Sequence, residues 1–241
     1  MISIPLYLAE THDCSYLDQH SSQFAYVHPD FQLSTELYAQ LIDQGFRRSG
    51  SHVYKPYCSA CSKCVPVRLA INDFQPSRQQ RRTLKNNTDI QVTIKPAVFE
   101  QAHFDLYLRY QKSRHIDSNM ADADKGDYIH FLSSEWCNTL FVEFSCAGQL
   151  AGIAVVDLFD NALSAVYTFF DPEFSKRSLG VYAVLWQIDY AKAHGLDWLY
   201  LGYWIEQCQK MSYKTNYQPL QGLIDKQWLD YDPDDFCFKK D

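Results

Sequence analysis

The stretch over residues 139–204 constrains the fold more than any other part of the chain. Residues 139–145, 150–159 and 162–170 are three apolar runs of strand length, rich in β-branched and aromatic side chains. Cys146-Ala147-Gly148 and Asp160-Asn161 separate them, and both are hairpin signals. Asp171-Pro172 ends the third run. Residues 179–194 then read as a helix stopped by Gly195, and residues 198–203 as a further strand. An antiparallel meander, a helix and a last strand give an α/β layer. In that order the third strand splays from the last and leaves a cleft at the helix N-terminus.

The first half is less regular. Residues 1–32 read as irregular, with a turn at His28-Pro29-Asp30. Ser34 caps a helix whose Leu37, Tyr38, Leu41 and Ile42 share one side, and Gly45 ends it. Residues 46–55 form a hairpin about Ser49-Gly50-Ser51, and residues 65–71 and 90–95 are strands. Residues 99–115 are helical with Phe99, Ala102, Leu106 and Tyr110 toward a core, and residues 113–126 are polar and read as mobile.

Charge is distributed unevenly. Residues 47–85 carry nine Lys and Arg against one acid, a balance of +8 in a chain of net −7, so the remainder carries −15. One basic surface on an acidic body suits a polyanionic partner. Within it, Ser77 and Gln80 fit a capping box that starts a helix. Helical spacing then sets Arg78, Arg81, Arg82 and Lys85 on one face.

With 46% hydrophobic residues and no apolar run long enough for a bilayer, the chain reads as a folded, membrane-free protein. The N-terminus lacks the pattern of a secretory signal, and eight irregularly spaced Cys suggest reduced thiols in the cytoplasm.

Cys58, Cys61 and Cys64 can bring three thiolates near one point, enough for part of a zinc or iron–sulfur site. A Cys-rich loop that only packs is the competing reading, and no residue is assigned as a metal ligand. Arg177-Ser178-Leu179-Gly180-Val181-Tyr182 resembles the loop by which acetyltransferases hold coenzyme A pyrophosphate at a helix N-terminus. Tyr182 departs from it, standing where a small residue lets the backbone approach phosphate. Residues 210–217 (KMSYKTNY) lie beyond the end of a strand, a usual place for a site in open α/β sheets. The chain has no nucleophile elbow, H-E-x-x-H or P-loop.

Taken together these residues resemble the bacterial aspartate/glutamate leucyltransferases, relatives of the eukaryotic arginyl-tRNA–protein transferases. The matching pieces are Cys14-Ser15-Tyr16-Leu17, residues 45–50 (GFRRSG), Tyr54-Lys55-Pro56, residues 58–68 (CSACSKCVPVR) and residues 74–85 (FQPSRQQRRTLK). Asp171-Pro172, Ser178-Leu179-Gly180, residues 200–205 (YLGYWI) and Met211-Ser212-Tyr213-Lys214 with Tyr217 and Pro219 complete them. They are collinear and cover most of the chain. Of the metal-associated cysteines of the eukaryotic relatives, only Cys14 and Cys64 have counterparts here.

The resemblance implies an α/β (α+β) fold: an acetyltransferase-like (GNAT-like) catalytic domain, residues 98–241, behind a Cys-containing, basic N-terminal α+β region, residues 1–97. It implies transfer of leucine from leucyl-tRNA to the α-amine of proteins beginning with Asp or Glu, marking them for N-degron degradation. No cofactor is required beyond the donor. Arginyl-tRNA as donor, and a coenzyme A-dependent acetyltransferase, stay open as alternatives, with a non-catalytic, metal-dependent RNA-binding module third. Within the leading reading, Arg78, Arg81, Arg82 and Lys85 contact tRNA phosphates. Arg47, Arg48 and Arg68 are the candidates for the acceptor's acidic side chain, and Asp171, Tyr213 and Lys214 for the ester and its proton transfers.

Overall fold

The computed structural model describes residues 3–114 and 123–239. Four short strands, β1 (Leu6–Leu8), β2 (His12–Asp13), β3 (Ser21–Ser22) and β4 (Phe24–Val27), occupy the region expected to be irregular. Runs of two to four residues are too short for a period to register. Helix α1 (Thr35–Asp43) starts at Ser34, whose hydroxyl accepts from the Leu37 amide, and ends before Gly45 at φ 87°, a conformation that suits glycine. β5 (Arg47–Ser49) and β6 (His52–Pro56) form the expected hairpin, followed by β7 (Val65–Ala70).

Helix α2 (Arg78–Asn86) has both bonds of the capping box: the Gln80 amide donates to the Ser77 hydroxyl, and the Ser77 amide to the Gln80 side chain. β8 (Gln91–Pro96), α3 (Gln101–Arg114) and α4 (Lys125–Leu132) follow. Much of the polar stretch 113–126, residues 115–122, lies outside the described residues. The meander is β9 (Thr139–Cys146), β10 (Gln149–Leu158) and β11 (Ala162–Phe170). After a 3-10 segment, Pro172–Arg177, come α5 (Leu179–Ala193) and β12 (Trp198–Trp204). A second 3-10 segment, Gln209–Asn216, leads to β13 (Leu220–Ile224), β14 (Gln227–Asp232) and β15 (Cys237–Lys239).

Nine strands form one sheet in the order β15-β14-β13-β7-β12-β11-β10-β9-β8, and β1-β4-β6-β5 form a smaller one. β7 and β8 both precede residue 97, yet β7 lies between β12 and β13, and β8 pairs with β9. The division at residue 97 therefore does not separate two folding units, because a sheet interrupted there would leave β12 with an open edge.

The central strands are apolar on both faces because both faces are covered. Ile153, Val155 and Phe169 pack under α3 and α4, while Ala154, Val156 and Leu163 pack with Leu185 and Ile188 of α5. Each of the Val, Leu, Ile and Phe side chains among them contributes about 1.5–3 kcal/mol on burial. α3 buries His103, Phe104, Leu106, Tyr107 and Gln111, a face rotated from the expected one. Polar His103 and Gln111 tolerate burial because Glu143 and Tyr167 bond them, at 2.6 and 2.9 Å.

The meander, the helix and the parallel last strand follow in the order expected from the sequence. β11 and β12 pair over only three residues, from Ala162↔Trp198 to Ser164↔Tyr200. β11 then continues along β10 and β12 along β7, so the two strands part into a V as expected. Among the described residues no helix is long and apolar enough to cross a membrane.

Candidate active site in the splayed strand pair

The V holds a cleft of about 500 Å³. Thr168, Phe170 and Val181 line one wall, Leu201, Gly202 and Tyr203 the other, and Tyr213, Lys214 and Tyr217 close one side. Arg47 and Tyr54 reach it from the small sheet. A second cavity of about 610 Å³, lined by Lys55, Tyr57 and the cysteine loop, shares Tyr203 with it. The cleft is the better candidate because two buried cations meet there.

Arg47 is 6% exposed. Its guanidinium donates to the carbonyls of Phe46 at 2.6 Å, Ile42 at 3.3 Å and Gly202 at 3.3 Å, and the Tyr200 and Tyr203 rings flank it at 5.6 and 5.4 Å. Its Nε is buried without a partner. Lys214 is 7% exposed and donates to the Tyr203 carbonyl. Burial, and then the neighbouring Arg47 charge, push its ammonium down to about 7. Neither cation has a carboxylate within ion-pair distance among the described residues. Two buried positive charges without an acid are costly unless an anion joins them.

Local structure explains the placement. A register shift in β12 between Tyr200 and Gly202 bulges the strand, and Gly202 takes φ 86°. The bulge leaves the Gly202 carbonyl to Arg47 from β5 and the Tyr203 carbonyl to Lys214 from the 3-10 segment.

Three of the expected site residues are employed elsewhere. Arg48, next to Arg47 on β5, points into the core, where it grips Asp157 through two bonds of 2.7 and 2.6 Å with neither side chain exposed. Burial alone would lower its pKa, but the Asp157 carboxylate outweighs that and raises it. It borders the cleft, but it also donates to the Gly50 and Leu132 carbonyls and the Thr139 hydroxyl, so a side chain with no exposed surface is spent on these partners and Asp157. Arg68 is sandwiched between the Trp198 and Trp228 rings at 3.6 and 4.2 Å and pairs with Asp43 at 2.7 Å, outside the cleft. Asp171 is 4% exposed. One oxygen caps the segment Pro172–Arg177 through the Glu173 amide, and the other accepts from Arg109 at 2.8 and 2.9 Å, so its lone pairs serve structure.

Tyr213 is 44% exposed at the cleft rim. Arg78, Arg81, Arg82 and Lys85 are all exposed on α2, while Gln80 and Thr83 face inward. Gln80 donates to the Asn216 carbonyl at 3.0 Å, tying the basic helix to the segment that carries Lys214. Tyr182 is buried against Phe144, with ring centroids 5.4 Å apart. It faces the core and not the loop ahead of α5, so its size does not obstruct a phosphate there.

The cysteines that suggest a metal gather around Cys64. Burial pushes the Cys64 thiol up to about 12, with Cys58, Cys14, Cys61 and Cys208 adding like charge around it. Among the described residues, three donor atoms come within 4.8 Å of one another at Glu100, His103 and Glu143, but no three of the cysteine sulfurs do. A tetrahedral centre with bonds near 2.3 Å holds its sulfurs about 4 Å apart. At the Glu100 group the Lys95 ammonium already supplies the cation, 2.9 Å from Glu100 and 2.8 Å from Glu143.

Sequence reasoning quoted Gly202 and Tyr54 within matching motifs but gave them no role, because the cleft forms between segments as far apart as Arg47 and Gly202, 155 residues along the chain. The positive φ of Gly202 left one trace, a lone glycine inside a strand.

The family model for arginine-tRNA-protein transferase, N terminus, matches residues 12–82, and that for its C terminus residues 102–224. The aspartate/glutamate leucyltransferase of Teredinibacter turnerae is 47% identical over 233 residues, 96% of this chain and 96% of that one. That of Marinobacter nauticus is 46% identical over 223 residues, 92% of this chain and 94% of that one. That of Pseudomonas aeruginosa is 43% identical over 226 residues, 94% of this chain and 96% of that one. Among solved structures, a tandem GNAT protein from the clavulanic acid biosynthesis pathway aligns with a TM-score of 0.38 at 12% identity, over 78% of this chain and 56% of that one. With both family models matched in order and relatives aligned along nearly their whole lengths, the chain belongs to the aspartate/glutamate leucyltransferases of the arginine-tRNA-protein transferase family.

Proposed function

We propose that the protein transfers leucine from leucyl-tRNA to the α-amine of proteins that begin with Asp or Glu, extending them for N-degron degradation. The observation that carries this is the Arg47–Lys214 pair, two buried cations with no acid partner among the described residues. An acceptor's first side chain supplies the missing carboxylate: the free Nε of Arg47 and the Lys214 ammonium both donate to it. The α-amine is then held one side-chain length away, toward the mouth of the V.

The donor is already an activated ester, so positioning supplies much of the rate. The neutral amine attacks the leucyl carbonyl, a C–N bond forms, the C–O bond to the ribose breaks, and the amine's proton ends on the departing ribose oxygen. Tyr213 at the rim orients the ester. Val181 and Val184 on one side and Leu201 on the other offer the leucyl side chain an apolar lining. An arginyl side chain would be a third cation beside Arg47 and Lys214, which favours leucine over arginine as donor. Arg78, Arg81, Arg82 and Lys85 contact the tRNA backbone, and a cytoplasmic location follows from that donor.

The test is a transfer assay with radiolabelled leucyl-tRNA and arginyl-tRNA and peptides that begin with Asp, Glu, Lys or Ala. Leucine entering only the Asp and Glu peptides supports the reading. Transfer from arginyl-tRNA instead would move the donor assignment, and no transfer from either would remove the function.

A further inference from the structure

The small sheet presents a face that the reaction above does not use. Cross-strand pairs Tyr7↔Tyr26, Tyr26↔Tyr54 and Tyr54↔Arg47 set four side chains in one row across β1, β4, β6 and β5. The rings touch in series: Tyr7 and Tyr26 stack at 5.6 Å, and Tyr26 and Tyr54 lie 5.6 Å apart. Tyr7 is 39% exposed, Tyr26 and Tyr54 are partly buried, and Tyr54 lines the cleft beside Arg47. Strands about 4.8 Å apart make this row about 14 Å long, the span of roughly four residues of extended peptide.

Charge decides which substrate fits the row. Residues 1–46 contain no Lys or Arg but six acids, and Glu10, Asp13, Asp18 and Asp30 are exposed on the segments that border the small sheet. The exposed cations that suit RNA lie on α2, beside the segment bearing Lys214; of the small sheet's own cations, Arg47 stands in the row, while Arg48 and Lys55, each next in sequence to a member of the row, fall on the opposite face. A polyanion is repelled from an acid-edged face, whereas a peptide carrying Lys or Arg finds rings for cation–π contact and carboxylates nearby.

We infer that the row Tyr7–Tyr26–Tyr54 is the track for the acceptor polypeptide, and that it favours cationic residues at the positions just after the acidic first one. The inference rests on the leucyl-transfer reading and deepens it: Arg47 takes position one, and the rings take roughly positions two to five.

The test is steady-state transfer at saturating leucyl-tRNA to Asp-Lys-Lys, Asp-Ala-Ala and Asp-Glu-Glu peptides with a common tail. KM is expected to rise in that order, by about tenfold across the set, as one or two exposed cation–π contacts would give. Tyr7→Ala with Tyr26→Ala should collapse the spread and leave KM for leucyl-tRNA unchanged. Tyr7→Phe with Tyr26→Phe should keep it, and Glu10→Lys with Asp13→Lys should flatten it without touching a ring. Equal KM for the three peptides overturns the inference. So does a rise in KM for leucyl-tRNA in the alanine variant, which would make the face an RNA platform. If none of the peptides receives leucine, the transfer reading itself fails and the inference falls with it.

Discussion

Arg47 and Lys214 hang from consecutive carbonyls of one strand: the guanidinium donates to Gly202 and the ammonium to Tyr203. The two cations come from opposite ends of the chain and are held by the bulge in β12, so they meet only in the closed fold.

Acceptor binding should weaken as pH rises above neutrality. The Lys214 ammonium is pushed down to about 7, so it is charged below that value and loses its proton above it. A bound carboxylate favours the charged form, and binding therefore takes up a proton between about pH 7 and the ordinary lysine range. KM for an Asp peptide, corrected for the peptide's own amine, should be flat below pH 7 and climb above it. Lys214→Arg should flatten the climb, since a guanidinium stays charged.

Lys214 should also cost stability. Its folded pKa lies below the ordinary 10.5, so the unfolded chain binds the extra proton and stability rises with pH through that window. The penalty is fully present below pH 7. Lys214→Met should raise the stability measured by urea unfolding at pH 6 by a few kcal/mol, and gain little at pH 10, while acidic acceptors bind less well.

Breaking the Arg48–Asp157 pair should unfold the protein before it alters specificity. Arg48→Met or Asp157→Asn leaves a buried group without its partner, at a cost of about 3–5 kcal/mol. The double replacement Arg48→Met with Asp157→Leu should recover much of that loss in urea unfolding. Any surviving activity should keep its preference for acidic acceptors.

Arg81→Ala with Arg82→Ala should weaken leucyl-tRNA binding at low salt and reduce the slope of log K against log salt by about 1.5, as the loss of two phosphate contacts requires. An unchanged slope in filter binding would detach α2 from the tRNA.

The sequence reading reached furthest where local chemistry decides. Ser34 and Ser77 marked helix starts because a hydroxyl acceptor is needed there, and the two hairpin signals marked the meander. It fell short where distant segments decide. Arg47 and Arg48 are neighbours on a three-residue strand whose faces are both buried, so no alternation shows which one enters the cleft. The insertion of β7 between β12 and β13 is fixed by pairing across more than 125 residues, which leaves no local trace. Asp171 reads as a candidate base from its place at a strand end, but Arg109 from α3 takes it.

The central claim is that the acceptor's carboxylate completes the Arg47–Lys214 site. The most direct measurement compares leucine transfer to Asp- and Asn-initiated peptides, equal in size and differing in charge, by the unmodified protein and by Arg47→Met. The unmodified protein should prefer Asp by about 10- to 100-fold, the worth of a charged hydrogen-bonded contact, and the variant should lose that preference while KM for leucyl-tRNA stays the same. An Arg47→Met protein that folds and still discriminates Asp from Asn as before would contradict the account.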